Sequence, residues 1–590
     1  MVKLSRKKEC EIMSMVTLTI DGQTVQVEQG ATVLEAAKQA GIHIPTLCYL
    51  AGVNQIGACR VCVVEVQGAR SLQTSCTTPA SEGMVVKTNS PTVRNARKTV
   101  VELLLSDHPS DCLTCIRNQN CELQSLSHEL GIREIRFQGQ KNFSPIDDLG
   151  YSVVREPEKC ILCRRCIATC SQIQQVNALG MAERGFSSMV TPVFHEALSA
   201  VACTNCGQCV LACPTGALHE KDETDKVWAV IADPKKHVVV QTAPSIRVAI
   251  GEELGLPAGS VVTGKLVSAL RRLGFDKVFD TDFTADLTII EEGHELLKRL
   301  KTGGKLPMIT SCSPGWIKYI EHFYPEYLEH LSSCKSPQQM FGALVKTFYA
   351  EEAGIDPKDI VSVSIMPCTA KKFEANRPEM DSSELQDVDI ALTTRELGRM
   401  FREAGLDFET LPNEDYDTPF GISTGAGVLF GATGGVMEAA LRTVYEVVTG
   451  ETLDRLNFEG VRGLEGIKEC SVQVGDILVK VAVANGLGNA KKLMELVKEG
   501  KADYHFIEIM GCPGGCIGGG GQPIPTTQEI KEKRMSAVYS ADQLSVIRKS
   551  HDNPAIQELY KRFLGEPLGE KSHHLLHTHY TKRSKYPDCE

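Results

Sequence analysis

Twenty-three of the 590 residues are cysteine, and their spacing decides what chemistry the chain can hold. Disulfide scaffolds are short and evenly paired, so an odd count spread along a large chain points to thiolates that bind metal in a reducing compartment. Cys48, Cys59, Cys62 and Cys76 follow C-x10-C-x2-C-x13-C. One tight pair with two outlying thiols can enclose a 2Fe-2S cluster, and the long gaps disfavour a structural zinc site. His108, Cys112, Cys115 and Cys121 read H-x3-C-x2-C-x5-C. Three close thiolates want a fourth ligand, and His108 stands one helical turn before the first; the alternative is an ordinary surface histidine. Imidazole ligation would raise the potential of a 4Fe-4S cluster by removing negative charge.

Two runs, Cys160, Cys163, Cys166 and Cys170, then Cys203, Cys206, Cys209 and Cys213, repeat C-x2-C-x2-C-x3-C, with Pro214 after the second and Ser171 in the matching place of the first. In this bacterial two-cluster pattern the last cysteine of each run ligates the other cluster. Cys160, Cys163, Cys166 and Cys213 therefore form one expected 4Fe-4S set, and Cys203, Cys206, Cys209 and Cys170 the other. A string of clusters moves electrons one at a time and must end at a redox site. Cys312, Cys368, and Cys512 with Cys516 each follow a predicted strand, where the loops of an open α/β sheet gather ligands. Gly514, Gly515 and the run Gly518 to Gly521 are expected to let backbone approach a bulky cofactor. Cys10, Cys334, Cys470 and Cys589 match no ligand pattern.

The positioning elements are readable around these cysteines. VTLTIDGQTVQVEQG (16–30) alternates apolar residues about an Asp21-Gly22 turn, and Thr32 with Glu35 form a capping box before a helix that Gly41 ends. A hairpin, a helix and then cysteines suit a small β-grasp domain. Residues 94–140 read as helical, and 150–220 hold the cysteine repeat. From about 235 onward, HVVVQTAPS, KLPMITSC, IVSVSIMPC and YHFIEIMGC alternate with amphipathic stretches, predicting an α/β domain with parallel sheet. Glu292, Glu295 and Arg299 share one face of a predicted helix at i, i+3 and i+7; spacing alone leaves an exposed, charge-paired surface as the alternative.

With 63 Lys and Arg against 74 Asp and Glu, the net charge of -11 argues against a nucleic-acid partner. The basic N-terminus (Lys3, Arg6, Lys7, Lys8) is broken by Glu9 and Glu11 before any secretory apolar stretch, and no run reaches the roughly eighteen apolar residues of a membrane span. A cytoplasmic protein is expected, with no membrane attachment.

TSCSPGW (310–316), MPCTAKKFE (366–374) and EIMGCPGGCIGGGG (508–521) closely resemble the three signature loops of iron-only (FeFe) hydrogenases. With the four upstream cysteine patterns, the resemblance covers nearly the whole chain. It implies an H-cluster, a 4Fe-4S cube bridged by a cysteine thiolate to a di-iron unit bearing CO, cyanide and a dithiolate amine. Cys368, Cys512 and Cys516 are then cube ligands, with Cys516 the bridge. Lys371, Ser245 and Pro244 would meet cyanide, and Met366, Pro367 and Met510 would surround the di-iron unit. Glu292, Glu295, Arg299, Ser332 and Cys312 match the family's proton path, and Glu374 is expected to be a structural hydrogen-bonding residue.

The first loop departs from the family's T-S-C-C-P-x-W. Register puts the proton relay at Cys312 and leaves Ser313 at the ligand position, whereas thiolate is the better donor to an iron-sulfur cube. Cys312 is the expected ligand. Cys-Ser variants resemble multisubunit NAD(P)-linked members of the family, which implies an NAD(P)H-binding flavoprotein subunit, a thioredoxin-like 2Fe-2S subunit and a link to ferredoxin, with electron bifurcation. The implied reaction is H2 ⇌ 2 H+ + 2 e-, served by one 2Fe-2S cluster, three accessory 4Fe-4S clusters and the H-cluster.

The expected architecture is multidomain α/β and α+β. An N-terminal extension with a β-grasp 2Fe-2S domain takes residues 1–93, a His/Cys3 cluster domain 94–140, and a two-cluster ferredoxin domain 141–222. The H-cluster domain follows over 223–526, and a small-subunit-like helical tail over 527–590. The first 220 residues also resemble the iron-sulfur arm of the respiratory complex I large subunit, so a non-hydrogenase electron-transfer or sensory subunit is the competing reading.

Overall fold

The computed structural model of the chain describes residues 14–586, so Lys3, Arg6, Lys7, Lys8, Cys10 and Cys589 lie outside the described residues. Strands β1 (Met15–Ile20) and β2 (Gln23–Glu28) pair antiparallel. Asp21 and Gly22 turn between them with φ of 49° and 86°, the left-handed pair that a two-residue hairpin needs. Helix α1 (Val33–Gln39) opens on the capping box: Thr32 Oγ1 accepts from the Glu35 amide at 3.2 Å, and Glu35 accepts from the Thr32 amide at 2.7 Å. Strands β3 (Val63–Val66), β4 (Gln73–Thr74) and β5 (Val85–Lys87) complete a five-stranded sheet of order β2-β1-β5-β3-β4, with β5 parallel to β1.

The stretch read as helical over 94–140 is helical only in two pieces, α2 (Pro91–Asp107) and α3 (Glu122–Glu129). Pro109 disfavours helical backbone at the residue before it, and His108 is accordingly extended with φ -87° and ψ 143°. His108 therefore caps the end of α2, and no continuous helical turn joins it to Cys112. Turns carry the chain from 109 to 121.

The cysteine repeat folds as a repeat. Strands β6 (Val153–Arg155) and β9 (Leu218–Glu220) pair antiparallel and close it, with a small hairpin, β7 (Gly180–Ala182) and β8 (Met189–Thr191), inserted between its halves. Short helices α4 (Arg165–Ala168) and α5 (Gln208–Ala212) start at equivalent left-handed residues, Arg164 (φ 61°) and Gly207 (φ 67°).

Beyond residue 236 the strands form two four-stranded sheets. One has the order β11-β10-β13-β14 and is entirely parallel: β10 (His237–Thr242), β11 (Lys277–Asp280), β13 (Ile360–Met366) and β14 (Ile390–Thr393). All seven residues of β13, IVSVSIM, are buried, as expected of a strand covered on both faces. The other sheet has the order β12-β17-β16-β15, built from β12 (Met308–Ile309), β15 (Ile467–Val474), β16 (Ile477–Asn485) and β17 (Phe506–Met510), with β15 an antiparallel edge. Helix α6 (Thr281–Thr302) starts where the Asp280 carboxylate accepts from the Asp282 amide and ends at Gly303 (φ 76°). Fifteen of its 22 residues are buried, so it runs through the domain. Each fully buried Leu, Ile or Phe there contributes roughly 1.5–3 kcal/mol.

Helices α7 (Pro314–Phe323) and α8 (Ala370–Ala375) follow the first two signature loops. The C-terminal segment wraps this body with α9 (Gln528–Leu544), α10 (Pro554–Leu559) and α11 (Glu570–Leu576), placing Ile556, Leu559, Leu575 and Leu576 in the same core as Phe283, Leu287 and Phe341. Among the described residues no helix is long and apolar enough to cross a membrane.

Candidate active site

The carboxyl ends of β10 and β13 in one sheet, and of β12 and β17 in the other, open on one cavity. Cys312, Cys368, Cys512 and Cys516 line it, with Ser313, Pro244, Met366, Pro367, Lys371 and Met510. Thus chain segments two hundred residues apart deliver four cysteines to one apolar chamber. A hydrogen bond from the Cys512 thiol, helped by the Lys371 ammonium and the Ala370 and Lys371 amides, lowers the Cys368 thiol below its ordinary value against the effect of burial. Burial pushes the Cys516 thiol up to about 12. Four thiols lining one chamber, with one lysine beside them and largely apolar walls, form a donor set suited to a thiolate-ligated iron-sulfur cube carrying a larger, poorly solvated group.

Lys371 is fixed by its own helix: Nζ donates to Glu374 Oε2 at 2.7 Å and to the Cys312 carbonyl at 3.2 Å. Glu374 also accepts from Ser336 at 2.8 Å and Gln338 at 3.0 Å, which gives it the structural role expected of it. Ser245 sits behind Pro244, and its hydroxyl accepts from Gln522 at 3.2 Å. Sequence reasoning missed Gln338, Thr281 and Phe430, which also line the chamber; they belong to no cysteine loop, and nothing local marks them.

The glycine run does something other than cradle a cofactor. A Cβ on Gly518 would lie 2.1 Å from the Pro513 carbonyl oxygen, on Gly519 2.2 Å from that of Pro367, and on Gly520 2.3 Å from that of Cys206. These glycines let the third loop press against the second loop and against the ferredoxin repeat; of the run, only Gly519 lines the chamber.

In the first loop both contested residues face the chamber. Ser313 precedes α7, and its Oγ accepts from the Gly511 amide at 3.0 Å, next to Cys512. The Cys312 thiol is raised first by burial and then by Glu292, with Lys371 opposing. Glu292 is 2 % exposed, and its carboxyl is pushed up to about 8 by burial and by Glu295, against the Ser332 hydroxyl bonded to it. Ser332 in turn donates to Glu295 Oε2 at 3.0 Å, and Glu295 Oε1 accepts from Arg299 at 2.6 Å. The spacing-based alternative of an exposed charged face fails for Glu292 and Glu295, which are buried. Ser332, Glu295 and Arg299 are thus linked by hydrogen bonds, and Cys312 at the chamber lies close enough to Glu292 to feel its charge.

The upstream cysteines also assemble. Cys62 and Cys76 sulfurs are 3.3 Å apart, and the Cys59 amide donates to Cys48 Sγ at 3.5 Å. Cys160, Cys163, Cys166 and Cys213 line one cavity, the crossed grouping expected from the repeat. Burial, and then the neighbouring Cys206 and Cys203 sulfurs, raise the Cys170 and Cys209 thiols, which places the four together. His108 is half-buried, and its buried Nδ1 lacks any partner, an orphan that a bound metal would satisfy. Lys159 lies near both His108 and Cys115, and Cys121 near Cys115.

Contacts between the groups give an order. Gly207 packs on Thr369 and Gly520, placing the Cys203–Cys209 loop against the chamber wall. Asn54 Nδ2 donates to the carbonyls of Cys48 at 2.7 Å and Cys163 at 3.0 Å. Cys121 Sγ reaches the Pro214 carbonyl at 3.7 Å. The 2Fe-2S and His108 sites therefore both abut the Cys160–Cys213 site, which leads on to the Cys203–Cys209 site and the chamber.

Comparison with known proteins was made against this geometry. The family described as iron only hydrogenase large subunit, C-terminal domain, matches residues 236–520, and iron hydrogenase small subunit matches 528–583. A 2Fe-2S iron-sulfur cluster binding domain matches 13–91, the NADH-ubiquinone oxidoreductase-G iron-sulfur binding region 97–136, and a 4Fe-4S dicluster domain 159–217. The chain is 53% identical to the NADP-reducing hydrogenase subunit HndD of Solidesulfovibrio fructosivorans over 97% of its length and 100% of that protein's. It is 40% identical to iron hydrogenase 1 of Clostridium pasteurianum over 96% of this chain and 100% of that one. The solved structure of apo FeFe hydrogenase HydA1 from Chlamydomonas reinhardtii superposes with a TM-score of 0.56 at 49% identity, covering 62% of this chain and 100% of that chain.

Proposed function

The chain belongs to the iron-only hydrogenase family, and from that premise we propose that it interconverts dihydrogen with protons and electrons at the chamber closed by the three cysteine loops, passing electrons to NAD(P)-linked partner subunits. The family carries 2Fe-2S and 4Fe-4S clusters and an H-cluster, and the complex I-like reading of the N-terminal arm is not favoured, because the hydrogenase match spans the catalytic half. The observation that carries the proposal is the convergence of Cys312, Cys368, Cys512 and Cys516 on one buried apolar chamber beside Lys371.

In this reading Cys368, Cys512 and Cys516 hold the cube, the four upstream sets hold the accessory clusters, and the bound di-iron group supplies heterolytic cleavage of dihydrogen. The residues of the chain do the rest. Met366, Pro367, Met510 and Phe430 exclude water, and Lys371, anchored by Glu374, presents one positive charge to anionic ligands. Cys312, Glu292, Ser332, Glu295 and Arg299 carry the proton: a carboxyl pushed up to about 8 by burial and by Glu295, as that of Glu292 is, both gives and takes it readily. The first loop supplies the remaining donor to the cube, and thiolate chemistry favours Cys312. A second reading makes Cys312 the relay and Ser313 an oxygen donor. The weight of Glu292 on the Cys312 thiol supports it, as does the place of Ser313 beside Cys512.

The domain limits at 93, 140, 222 and 526 fit the breaks between matched families. A flavoprotein that binds NAD(P)H, a thioredoxin-like 2Fe-2S subunit and ferredoxin are the proposed partners, in the cytoplasm. Two outer sites feeding one inner site suit two such partners. Anaerobically matured chain should evolve hydrogen from reduced viologen. Cys312→Ala should lose cube iron if Cys312 is the ligand, and should keep the iron but lose turnover if it is the relay. A fully loaded chain that neither evolves nor consumes hydrogen contradicts the proposal.

A further inference from the structure

Meeting the proton run at Glu295 lies a second set of titratable groups that it does not use. Helix α6 contributes Glu291, the segment after Ser332 contributes Ser333 and Cys334, and His577 directly follows α11. Ligand atoms of Glu295, Cys334 and His577 all lie within 4.8 Å of one another. The Cys334 thiol donates to Glu295 Oε2 at 3.8 Å. His577 Nε2 is 3.1 Å from Glu291 Oε2, and its Nδ1 is 2.8 Å from Ser333 Oγ. The side chains of Glu291 and His577 are 0% and 1% exposed. Pairing of the two backbones, with the Thr578 amide donating to the Ser333 carbonyl at 2.8 Å, holds the histidine at this place.

The arrangement has a direction. A carboxylate can only accept, so Glu291 keeps the ring proton on Nε2 and leaves Nδ1 as a base facing Ser333 and the Glu295 end. Burial pushes the Glu291 carboxyl up, but hydrogen bonds from His577, Tyr560 and the Leu568 amide hold it below the usual carboxylate range. A fixed anion behind an imidazole stabilises the imidazolium when it forms, as in a hydrolase triad. Tyr560 meets Glu291 from α10's side, and His573 stacks on the His577 ring at 4.6 Å with Lys298 beyond it. Metal ligation would have to displace Ser333 or Glu291 from the ring and would set a cation beside Arg299, so proton storage is the better use of these groups.

Resting on the hydrogen-cycling reading, we propose that His577 is a proton-storing branch of the proton run, loaded from Glu295 through the Cys334 thiol. In the loading step the Glu295 carboxyl O–H breaks and its proton passes to the Cys334 sulfur, as the Cys334 S–H proton moves to His577 Nδ1. The products are the Glu295 carboxylate, an intact thiol and an imidazolium paired with Glu291; no electron moves. Each dihydrogen releases two protons into a single-file run, and a store beside its outer carboxylate clears that run for the second. The C-terminal segment thereby acts in turnover as a positioning element, through a residue that touches neither substrate nor cluster.

The test uses the full, cluster-loaded chain and reads hydrogen uptake with oxidised viologen across the neutral pH range. His577→Gln keeps hydrogen-bonding capacity toward Ser333 and Glu291 but cannot take a charge. Uptake should fall about tenfold, less than the roughly 10²–10⁴-fold of an acid-base group in the reaction itself because His577 stands on a branch, with KM for viologen unchanged. The infrared bands of the H-cluster should stay as in the parent, and the imidazole signal should vanish from the infrared pH-difference spectrum together with the shift it imposes on the Glu295 carboxyl. Glu291→Gln, which removes the anion behind the ring, should move the break in the uptake profile to lower pH; it also decides the matter if H577Q fails to load. Parent-like profiles and difference spectra in either variant, when loaded, overturn the branch and leave the hydrogenase reading intact. A loaded parent chain that takes up no hydrogen overturns both.

Discussion

The electron-carrying half and the catalytic half solve the same problem, holding iron on cysteine sulfur, in opposite ways. Upstream, the ligands lie close together in sequence, and the cysteines are themselves core residues: Cys48, Cys59 and Cys163 share a core with Leu47, Val61 and Val101, and Cys166 and Cys213 share one with Val153 and Val210. Downstream, strands of two sheets bring the ligands from distant parts of the chain, and the cores packed around them are built from aliphatic and aromatic side chains without metal. The contrast predicts that the cluster-bearing loops of the first half need iron to complete their cores, whereas the second half builds its chamber first and receives iron into it.

The largest effect expected from this contrast concerns iron removal. Anaerobic chelation should expose residues 108–217 to proteolysis while 237–520 stays protected, because structural metal sites supply folding free energy on the order of 10 kcal/mol that these short elements cannot replace. Equal loss of protection in both halves, followed by peptide mapping, would break the contrast. Next, Glu292→Gln should lower hydrogen turnover by about 10²-fold or more while leaving iron content unchanged, since it removes an acid-base step. A parent-like rate would remove Glu292 from the proton run.

A smaller effect belongs to the seam between the outer sites. Asn54→Ala strands two buried carbonyls, those of Cys48 and Cys163, and should cost about 1–3 kcal/mol in denaturant unfolding of the N-terminal half. The catalytic half should be untouched; parallel loss in both would mean that the halves unfold as one unit.

The smallest expected effect is a pH dependence. With its carboxyl pushed up to about 8, Glu292 holds its proton more tightly folded than unfolded. The stability tied to that proton is present in full below the ordinary carboxylate range and is lost as pH rises toward and through about 8. Melting temperatures of E292Q and parent should therefore converge at acid pH and separate in favour of E292Q at alkaline pH. The opposite trend would show a Glu292 that is ionised in the fold.

How much of this was readable in the sequence follows the same division. The hairpin, the capping box at Thr32 and the crossed pairing of Cys213 with Cys160 rest on local rules, and the structure has all three. The helical reading of 94–140 holds only in two pieces, α2 and α3, because Pro109 ends the first. The glycines at 518–521 were readable as close approach, but which neighbour they approach, backbone of Pro367 and Cys206, depends on how two distant loops meet. Cys334 matches no ligand pattern, and His577 stands in a His-rich tail with His573, His574 and His579 whose spacing names no partner. Only the wrap of the C-terminal segment around α6 sets the two beside Glu295.

The hydrogenase assignment meets its most direct test in the infrared spectrum of the anaerobically matured chain. Bands of iron-bound CO and cyanide, absent from Cys368→Ala, are the predicted result. A chain with all four accessory sets filled and no such bands would be an electron carrier, and the claim that the chamber activates hydrogen would be wrong.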